Sequence, residues 1–170
     1  DLDAWICYRS DLPHAALALL QRKAEAIGAW ARSQNVEAHL FLMNDDKFRS
    51  GERESLTGEN CGTAQHYLLL DEFYRTGILL AGRIPAWWLI PPDEEARAQA
   101  WLSGLLSRQH VRATQLLDFG GLQSVPASEF VGAGIWQLYK AIDSPHKSTL
   151  KLLLFEVYAA HFPLAECLSG

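Results

Sequence analysis

The sequence predicts an α/β protein whose first half is a strand, a helix and a second strand, and whose second half is mostly helical. Two observations in the first half indicate this class. Segments 2–9 and 36–43 have the residue pattern of strands, and the segment between them has apolar residues at three- and four-residue steps, as in a helix. Helical spacing dominates again beyond residue 90, so we expect a core at 1–90 and a helical lobe at 91–170.

Composition limits the size, compartment and partners of this protein. A chain of 170 residues suffices for one ordinary domain or for two small lobes around a cleft. No stretch approaches the ~20 apolar residues needed to cross a bilayer, so we expect a soluble protein without a membrane span. The net charge of −5 argues against a nucleic-acid binder, which needs a basic surface. The cysteines Cys7, Cys61 and Cys167 are scattered, which indicates reduced thiols in a cytosolic protein.

The first strand, helix and second strand follow directly from local pattern. "LDAWICYR" mixes apolar and β-favouring residues and ends in a turn at "SDLPH". The helix begins at Pro13 and reaches about Ser33, and we expect its apolar face to pack on a sheet. That face would consist of Leu17, Leu20, Ala24, Ile27 and Trp30. "VEAHLFLM" alternates as a strand, with Glu37 and His39 on the face opposite Ala38.

The later segments predict a loop, further helices and one edge strand. Residues 44–63 are polar and glycine-rich, which indicates a surface loop. Helices are expected at 64–82, 93–109, 128–142 and 146–162, with an edge strand at 84–92. Gly82 would end the first of these helices and Asp93 would cap the second. Pro145 disfavours helical geometry at Ser144, which separates the last two helices.

Three carboxylates are candidates for a metal site. Asp1 and Asp3 project to the same face of the first strand, and Glu37 comes from the next strand in the sequence. Carboxylate oxygens in such an arrangement bind hard divalent cations such as Mg²⁺, and a pair of these ions assists phosphoryl chemistry. Short Asp-x-Asp pairs are also common as exposed carboxylates at a strand end, and spacing alone leaves that interpretation open.

Nearly the whole chain consists of segments that resemble one family in the same order. They are "DLDAWICYRS", "LLQRKAEAIGAWA", "VEAHLFLMNDDKFR", "GENCGTAQHYLLLDEFYRTGILLAGRIPAWWLIPPDEE" and "DFGGLQSVPASEFVGAGIWQLYKAIDSPHKSTLKLLLFEVYA". These segments resemble the bacterial class I adenylate cyclases, and "WQLYKAIDSP" is similar to a signature of that family. The resemblance implies a cytoplasmic enzyme that requires Mg²⁺ and converts ATP to 3′,5′-cyclic AMP and pyrophosphate.

The resemblance also implies a fold and roles for the acidic residues. The family's catalytic core resembles DNA polymerase β-type nucleotidyltransferases, so we expect a nucleotidyltransferase-like mixed sheet followed by the helical lobe, with a nucleotide cleft between them. Asp1, Asp3 and Glu37 would hold Mg²⁺, and Glu37 would act at the ribose 3′-hydroxyl. Such enzymes carry a Gly-Ser pair shortly before the Asp-x-Asp strand. Because this sequence begins at Asp1, we expect an N-terminally incomplete core, and any regulatory protein partner would bind regions absent from this sequence.

Two lysines are candidates for binding the triphosphate. Lys140 and Lys147 flank the break "AIDSPH" between the last two predicted helices, and both amines would face a cleft if these helices fold back on each other. They would then neutralise the β- and γ-phosphates as point charges. Lys151, one turn later, is a third choice. Solvated lysines at helix ends are the alternative interpretation.

Four further residues are candidates for contacting the nucleotide. Thr63 is placed to cap the helix that starts near residue 64, and Gln65 and His66 would reach the nucleotide at this helix start, where free N–H groups favour anions. The alternative interpretation is that these three residues only cap and pack the helix locally. Trp5, on the same strand face as Asp3, would border the adenine or ribose, or would support the carboxylates from the core.

The remaining polar and aromatic residues have structural interpretations. Arg75 lies within one turn of Asp71 and Glu72, which predicts an ion pair along the helix. Trp136 and the tryptophans of "AWW" at 86–88 are expected in the core.

Two other functions remain open. One is a different nucleotidyltransferase activity, in which a separate acceptor hydroxyl is adenylated, and product analysis by chromatography would distinguish it. The other is a non-catalytic module that binds nucleotide or a protein partner, against which the retention of Asp1, Asp3 and Glu37 argues.

Overall fold

The computed structural model describes residues 2–50, 66–122 and 127–161. Within these ranges the chain is mixed α/β, mostly helical, with two small parallel sheets. The strands are β1 Leu2–Tyr8, β2 Ala38–Asn44, β3 Ile84–Pro85 and β4 Leu116–Leu117. The α-helices are α1 His14–Ser33, α2 Asp45–Ser50, α3 His66–Thr76, α4 Ala98–Ser107, α5 Ala127–Lys140 and α6 Pro145–Ala160. Short 3₁₀ helices span Ala86–Leu89, Pro92–Arg97 and Ala113–Gln115.

The chain divides into two compact units, Asp1–Gly58 and Glu59–Gly170. The first contains the β1–β2 sheet and the second contains the β3–β4 sheet. The boundary near residue 90 that we expect from sequence pattern lies inside the second unit and stays a prediction. No helix in the described ranges combines the length and the apolar content that a bilayer crossing demands.

The first unit is built on a parallel strand pair connected through a helix. Leu2 lies opposite Ala38 and Tyr8 lies opposite Asn44, so β1 and β2 pair along their whole length. A parallel pair needs a crossover connection, which α1 supplies directly after Pro13. Proline suits this position because its fixed φ matches the first turn and it lacks only an N–H that would have no helical partner. The predicted strand, helix and strand are confirmed.

The buried face of α1 differs from the predicted one. Its buried residues are Ala24, Gly28 and Ala31, whereas Ile27 and Trp30 are exposed. A Cβ at Gly28 would lie 3.5 Å from the Ala38 carbonyl oxygen, so the backbones of α1 and β2 come close at this point. Small residues permit that approach, and the contact therefore follows them rather than the bulky side chains.

A short helix replaces the start of the predicted loop. Asn44 ends β2, and its side-chain oxygen accepts a hydrogen bond of 2.9 Å from the Lys47 N–H at the beginning of α2. This contact is the usual N-cap interaction, and Asp45 and Asp46 favourably occupy the positive end of the helix. The expectation of a loop is therefore wrong for residues 44–50, and residues 51–63 lie outside the described ranges.

The second unit has a core formed by α3, α5 and α6. Leu68 of α3, Ala133 of α5, and Phe155 and Tyr158 of α6 form one buried cluster. The predicted helices at 128–142 and 146–162 are confirmed as α5 and α6, with ends that differ by one or two residues.

An aromatic cluster ends α3 earlier than the sequence predicts. The Phe73 ring stacks on Trp88 at 6.1 Å between ring centroids and meets Phe119 edge-on at 5.3 Å. The Trp88 indole N–H donates to the Tyr74 carbonyl oxygen at 3.0 Å, which satisfies an acceptor in the last turn of the helix. These contacts require the chain to turn after Thr76, so the expected end at Gly82 is wrong.

The predicted edge strand at 84–92 is short. Ile84–Pro85 pairs in parallel with Leu116–Leu117, and the chain then enters the 3₁₀ helix Ala86–Leu89. This turn brings the Trp87 ring to 5.9 Å from the Tyr74 ring, while Trp88 packs on the same helix. In an extended strand the two adjacent tryptophans would point to opposite faces and could not both pack on α3. Asp93 lies within the next 3₁₀ helix and α4 begins only at Ala98, so the predicted cap is also wrong.

Candidate functional site

A cavity of about 360 Å³ in the second unit is lined by residues of α3, α5 and α6 and of the turn between α5 and α6. Its polar lining includes Glu72, Gln137, Lys140, Lys147, Ser148 and Lys151. The candidate lysines Lys140 and Lys147 therefore line one cavity, and so does the third choice, Lys151. We call this space the lysine cavity.

A tight turn between two helices positions the lysines. Lys140 is the last residue of α5, and its carbonyl oxygen accepts hydrogen bonds from the N–H groups of Asp143 and Ser144 at 3.2 and 2.9 Å. Pro145 then begins α6, and Lys147 and Lys151 follow one helical turn apart. Because the break is so short, the end of α5 and the start of α6 stay together, and their lysines share one wall.

The beginning of α6 adds a favourable field for an anion. The first N–H groups of a helix have no helical acceptor, and the helix dipole makes this end partly positive. In the described part of the chain, Ser144 forms no side-chain cap and the first turn of α6 contains no acidic residue. Ser144 and Lys147, both at this end of the helix, line the lysine cavity. Anion binding at such helix ends is common.

Trp136 forms part of the cavity wall. The Lys140 Nζ atom lies 5.4 Å above the centre of the Trp136 ring, which is a cation–π contact. The Tyr139 ring stacks on the same tryptophan at 5.5 Å between centroids. Trp136 is half-buried and faces the cavity, so its expected place in the core is wrong. The contact restrains Lys140 near the cavity.

Two acidic residues of α3 contact α6. Glu72 forms an ion pair with Lys151, and the buried Asp71 carboxylate accepts a hydrogen bond from the Tyr158 hydroxyl. The ion pair along the helix that we expect for Arg75 does not appear among the described ion pairs, because packing of α3 on α6 gives Glu72 and Asp71 partners on the neighbouring helix. Glu72 places a negative charge among the cavity's lysines.

In the first unit, β1 and β2 carry the described part of the predicted acidic site. Asp3 is exposed and lies opposite His39 in the strand register. Glu37 comes just before β2 instead of within it, and its Oε1 atom is 3.3 Å from His39 Nε2. Trp5 is half-buried, with its ring 5.8 Å from that of Phe48 on α2.

The metal site expected from sequence depends on a residue outside the described ranges, Asp1. Among the residues that the structure describes, no three acidic, histidine or cysteine side chains form a metal-binding group. Thr63 and Gln65 also lie outside the described ranges, as does the side chain of His66, which begins α3.

Comparison with known proteins identifies the family. Residues 1–88 match the family model described as "Adenylate cyclase NT domain", and residues 125–170 match "Adenylate cyclase, class-I, second domain". The adenylate cyclase of Salmonella typhimurium (strain LT2) is 46% identical over 163 residues, which are 96% of this chain and 19% of that protein. The chain belongs to the class I adenylate cyclase family.

Other class I relatives give the same result. The adenylate cyclase of Escherichia coli (strain K12) is 46% identical over 96% of this chain and 19% of its own length. That of Proteus mirabilis is 41% identical over 99% of this chain and 20% of its own length. The chain thus spans about a fifth of the length of the curated relatives it matches. No solved structure matches it.

The lysine cavity combines residues from both class I family segments. Glu72 belongs to the segment that matches the N-terminal domain model, whereas Gln137 and all three cavity lysines belong to the second-domain segment. Sequence reasoning missed Glu72 and Gln137 as members of this site. A signal for Gln137 was present, since it precedes Lys140 by three residues and so shares its helix face. Glu72 had no such signal.

Proposed function

We propose that this chain supplies ATP-binding and catalytic residues for the conversion of ATP to 3′,5′-cyclic AMP and pyrophosphate. The observation that carries the proposal is the lysine cavity, where Lys140, Lys147 and Lys151 line one space at the start of α6. Family membership supports the same reaction, because the relatives are named adenylate cyclases.

The lysines would bind the triphosphate and stabilise the leaving group. Each ammonium group has N–H donors and no acceptor, so a cavity rich in lysine selects an anion. During cyclisation, the ribose 3′-oxygen bonds to the α-phosphorus while the bond from that phosphorus to the pyrophosphate oxygen breaks. Negative charge grows on the departing pyrophosphate, and fixed positive charge near it lowers the barrier. Lys147, at the start of α6, is the principal candidate for this role.

The acidic residues would act at the other end of the reaction. Asp1, Asp3 and Glu37 are our proposed Mg²⁺ ligands, and the exposed carboxylates of Asp3 and Glu37 are the oxygen donors that this cation prefers. A bound Mg²⁺ would supply positive charge to phosphate and ribose oxygens. Glu37 is also the proposed acceptor of the 3′-hydroxyl proton, and His39 lies within reach of its Oε1 atom. A nucleotidyltransferase-like core belongs to this same proposal.

The test compares Lys147→Ala with Lys23→Ala, an exposed lysine on α1, in the full-length protein. We expect Lys147→Ala to reduce kcat/KM for ATP by about ten- to hundredfold, the range for a lost charge-assisted contact, with an unchanged melting temperature. Lys23→Ala should leave both unchanged. Chromatography of the products should yield cyclic AMP.

Three outcomes would overturn the proposal. Transfer of AMP to a separate acceptor would assign a different nucleotidyltransferase activity. ATP binding without turnover would assign a non-catalytic module. Equal kinetics for Lys147→Ala and Lys23→Ala would mean that the lysine cavity does not bind the substrate.

A further inference from the structure

Gln137 is a buried polar side chain that lines the lysine cavity. It is 8% exposed, and it lies on α5 between Trp136 and Lys140, which line the cavity too. Among the residues whose side chains the structure describes, none forms a hydrogen bond with its carboxamide. A carboxamide offers two N–H donors and an acceptor oxygen. The carboxamide atoms of Gln137 are not fully enclosed, so the amide meets the open space of the cavity, where an oxygen of a bound ligand would be its partner.

We propose that Gln137 is a phosphate-binding residue, whose carboxamide N–H donates to an oxygen of the triphosphate held in the lysine cavity. The inference rests on the proposed function and extends it to a residue outside the lysine set. It also explains why a polar side chain is buried in a cavity whose lining includes Leu68 and Phe155.

The charges around Gln137 favour phosphate as its partner. Lys140 follows it by one turn on α5, and Lys147 and Lys151 of α6 line the same cavity. Within the described lining, Glu72 is the single carboxylate, and it is engaged with Lys151. A ligand that satisfies ammonium groups and an amide N–H together must supply several acceptor oxygens, as a polyphosphate does.

A nucleobase is a poorer partner for this amide. An amide that reads a base edge must hold its oxygen and nitrogen in a fixed order, because exchanging them inverts the donor and acceptor pattern. No hydrogen bond among the described residues fixes the Gln137 amide. It can therefore turn its N–H towards an anion, and no contact in the described part of the chain would make it discriminate between bases.

The experiment measures binding of sodium tripolyphosphate to the full-length protein by isothermal titration calorimetry. This probe has no base or sugar, and the absence of added divalent cation removes any metal-mediated contribution from the acidic residues. The variants are Gln137→Met, which removes the amide at similar volume, and Gln137→Glu, which replaces it by an acceptor-only anion. Gln99→Glu, at an exposed position of α4, is the matched charge control.

We expect Gln137→Met to weaken tripolyphosphate binding by about fivefold and Gln137→Glu by about fiftyfold or more, because the second variant also repels the anion. Gln99→Glu should bind like the unmodified protein. Melting temperatures report whether each variant folds, and Gln137→Met decides the question if the buried glutamate prevents folding.

Several results would overturn the inference. Tripolyphosphate that does not bind, or that binds Gln137→Met as tightly as the unmodified protein, would exclude a phosphate contact. ATP binding weakened in Gln137→Met with unchanged tripolyphosphate binding would assign Gln137 to the base or ribose instead. Other results would separate this inference from the proposed function. If tripolyphosphate binding depends on Gln137 but the protein forms no cyclic AMP, only the proposed cyclase activity is contradicted. If Gln137→Met leaves cyclic AMP formation unaffected, only this inference is contradicted.

Discussion

Lys151 of α6 forms an ion pair with Glu72 of α3 inside the lysine cavity. Both side chains are partly exposed, at 29% and 43%, so the pair contributes at most about 1 kcal/mol to stability. We expect its larger effect to be on the proposed binding of a phosphate ligand. Glu72 neutralises one of the positive charges that a phosphate would otherwise meet, and an incoming anion must compete with it for Lys151.

We therefore expect Glu72→Gln to strengthen tripolyphosphate binding by about three- to tenfold, because it removes a repelling charge and releases Lys151. Calorimetric titration in the full-length protein measures the change. Glu156→Gln, at an exposed position on α6, is the control and should alter affinity much less. Weaker binding in Glu72→Gln would show instead that the ion pair holds Lys151 in its binding position.

Asp3→Asn should abolish cyclic AMP formation and leave the fold intact. The amide has nearly the same shape as the carboxylate but carries no charge for a divalent cation, and Asp3 is exposed on β1. Circular dichroism and a cyclase assay on the full-length protein measure both effects, with Asp93→Asn as an exposed control. Activity within about threefold of the unmodified protein would contradict the role of Asp3 as a metal ligand.

Tyr74 should make the protein sensitive to alkali. Burial raises the pKa of Tyr74 far above its usual value, and the Asp118 carboxylate raises it further. The folded state thus keeps the phenol proton where the unfolded state loses it. The stabilisation is complete below the unfolded pKa of about 10 and is lost as the pH rises above that value.

Urea unfolding between neutral pH and about pH 11.5 tests this effect, since the unfolded phenol ionises near pH 10. Tyr74→Phe removes the hydrogen bond of 2.8 Å to the Gly120 carbonyl oxygen, so we expect it to lower the free energy of unfolding near neutral pH by about 1 kcal/mol. The variant should then lose less stability than the unmodified protein above pH 10. Parallel curves for the two proteins would refute the prediction.

Two glycines should respond in opposite directions to alanine. A Cβ at Gly77 would lie 2.6 Å from the Phe73 carbonyl oxygen, so Gly77→Ala should force the end of α3 to shift and should cost about 1–3 kcal/mol. A Cβ at Gly104, within α4, meets nothing within 4 Å. Gly104→Ala should therefore stabilise the protein by about 0.5–1 kcal/mol through helix propensity. Thermal melting of both variants checks the pair, and equal shifts would contradict it.

The elements that sequence pattern predicted well are those controlled by local signals. Pro13 and Pro145 mark the starts of α1 and α6, and both helices form where the pattern places them. The buried face of α1 could not be read in the same way, because the close approach of Gly28 to β2 depends on the partner strand. Asn44 was a cap signal for α2, but its polar neighbours resemble a loop.

In the candidate site, too, sequence predicted the residues that are close together in the chain and missed those that depend on packing between distant helices. Lys140, Lys147 and Lys151 meet through one short helical connection, so their sequence spacing was enough to bring them together. Glu72 enters the cavity only because α3 packs on α6, which is a contact between residues far apart in the chain. The burial of Gln137 likewise depends on how the helices pack.

The connection between α5 and α6 also sets an order of folding. These helices meet across residues 141–144, whereas Leu2 of β1 must find Ala38 of β2 on the far side of a complete helix. Closing a longer loop loses more chain entropy, and local contacts form faster than distant ones. The wall that carries Lys140 and Lys147 should thus form early, and the strands that carry Asp3 and His39 should pair later. A complete chain that refolds from denaturant would therefore form the helical wall with Lys140 and Lys147 before the strand pair that carries Asp3.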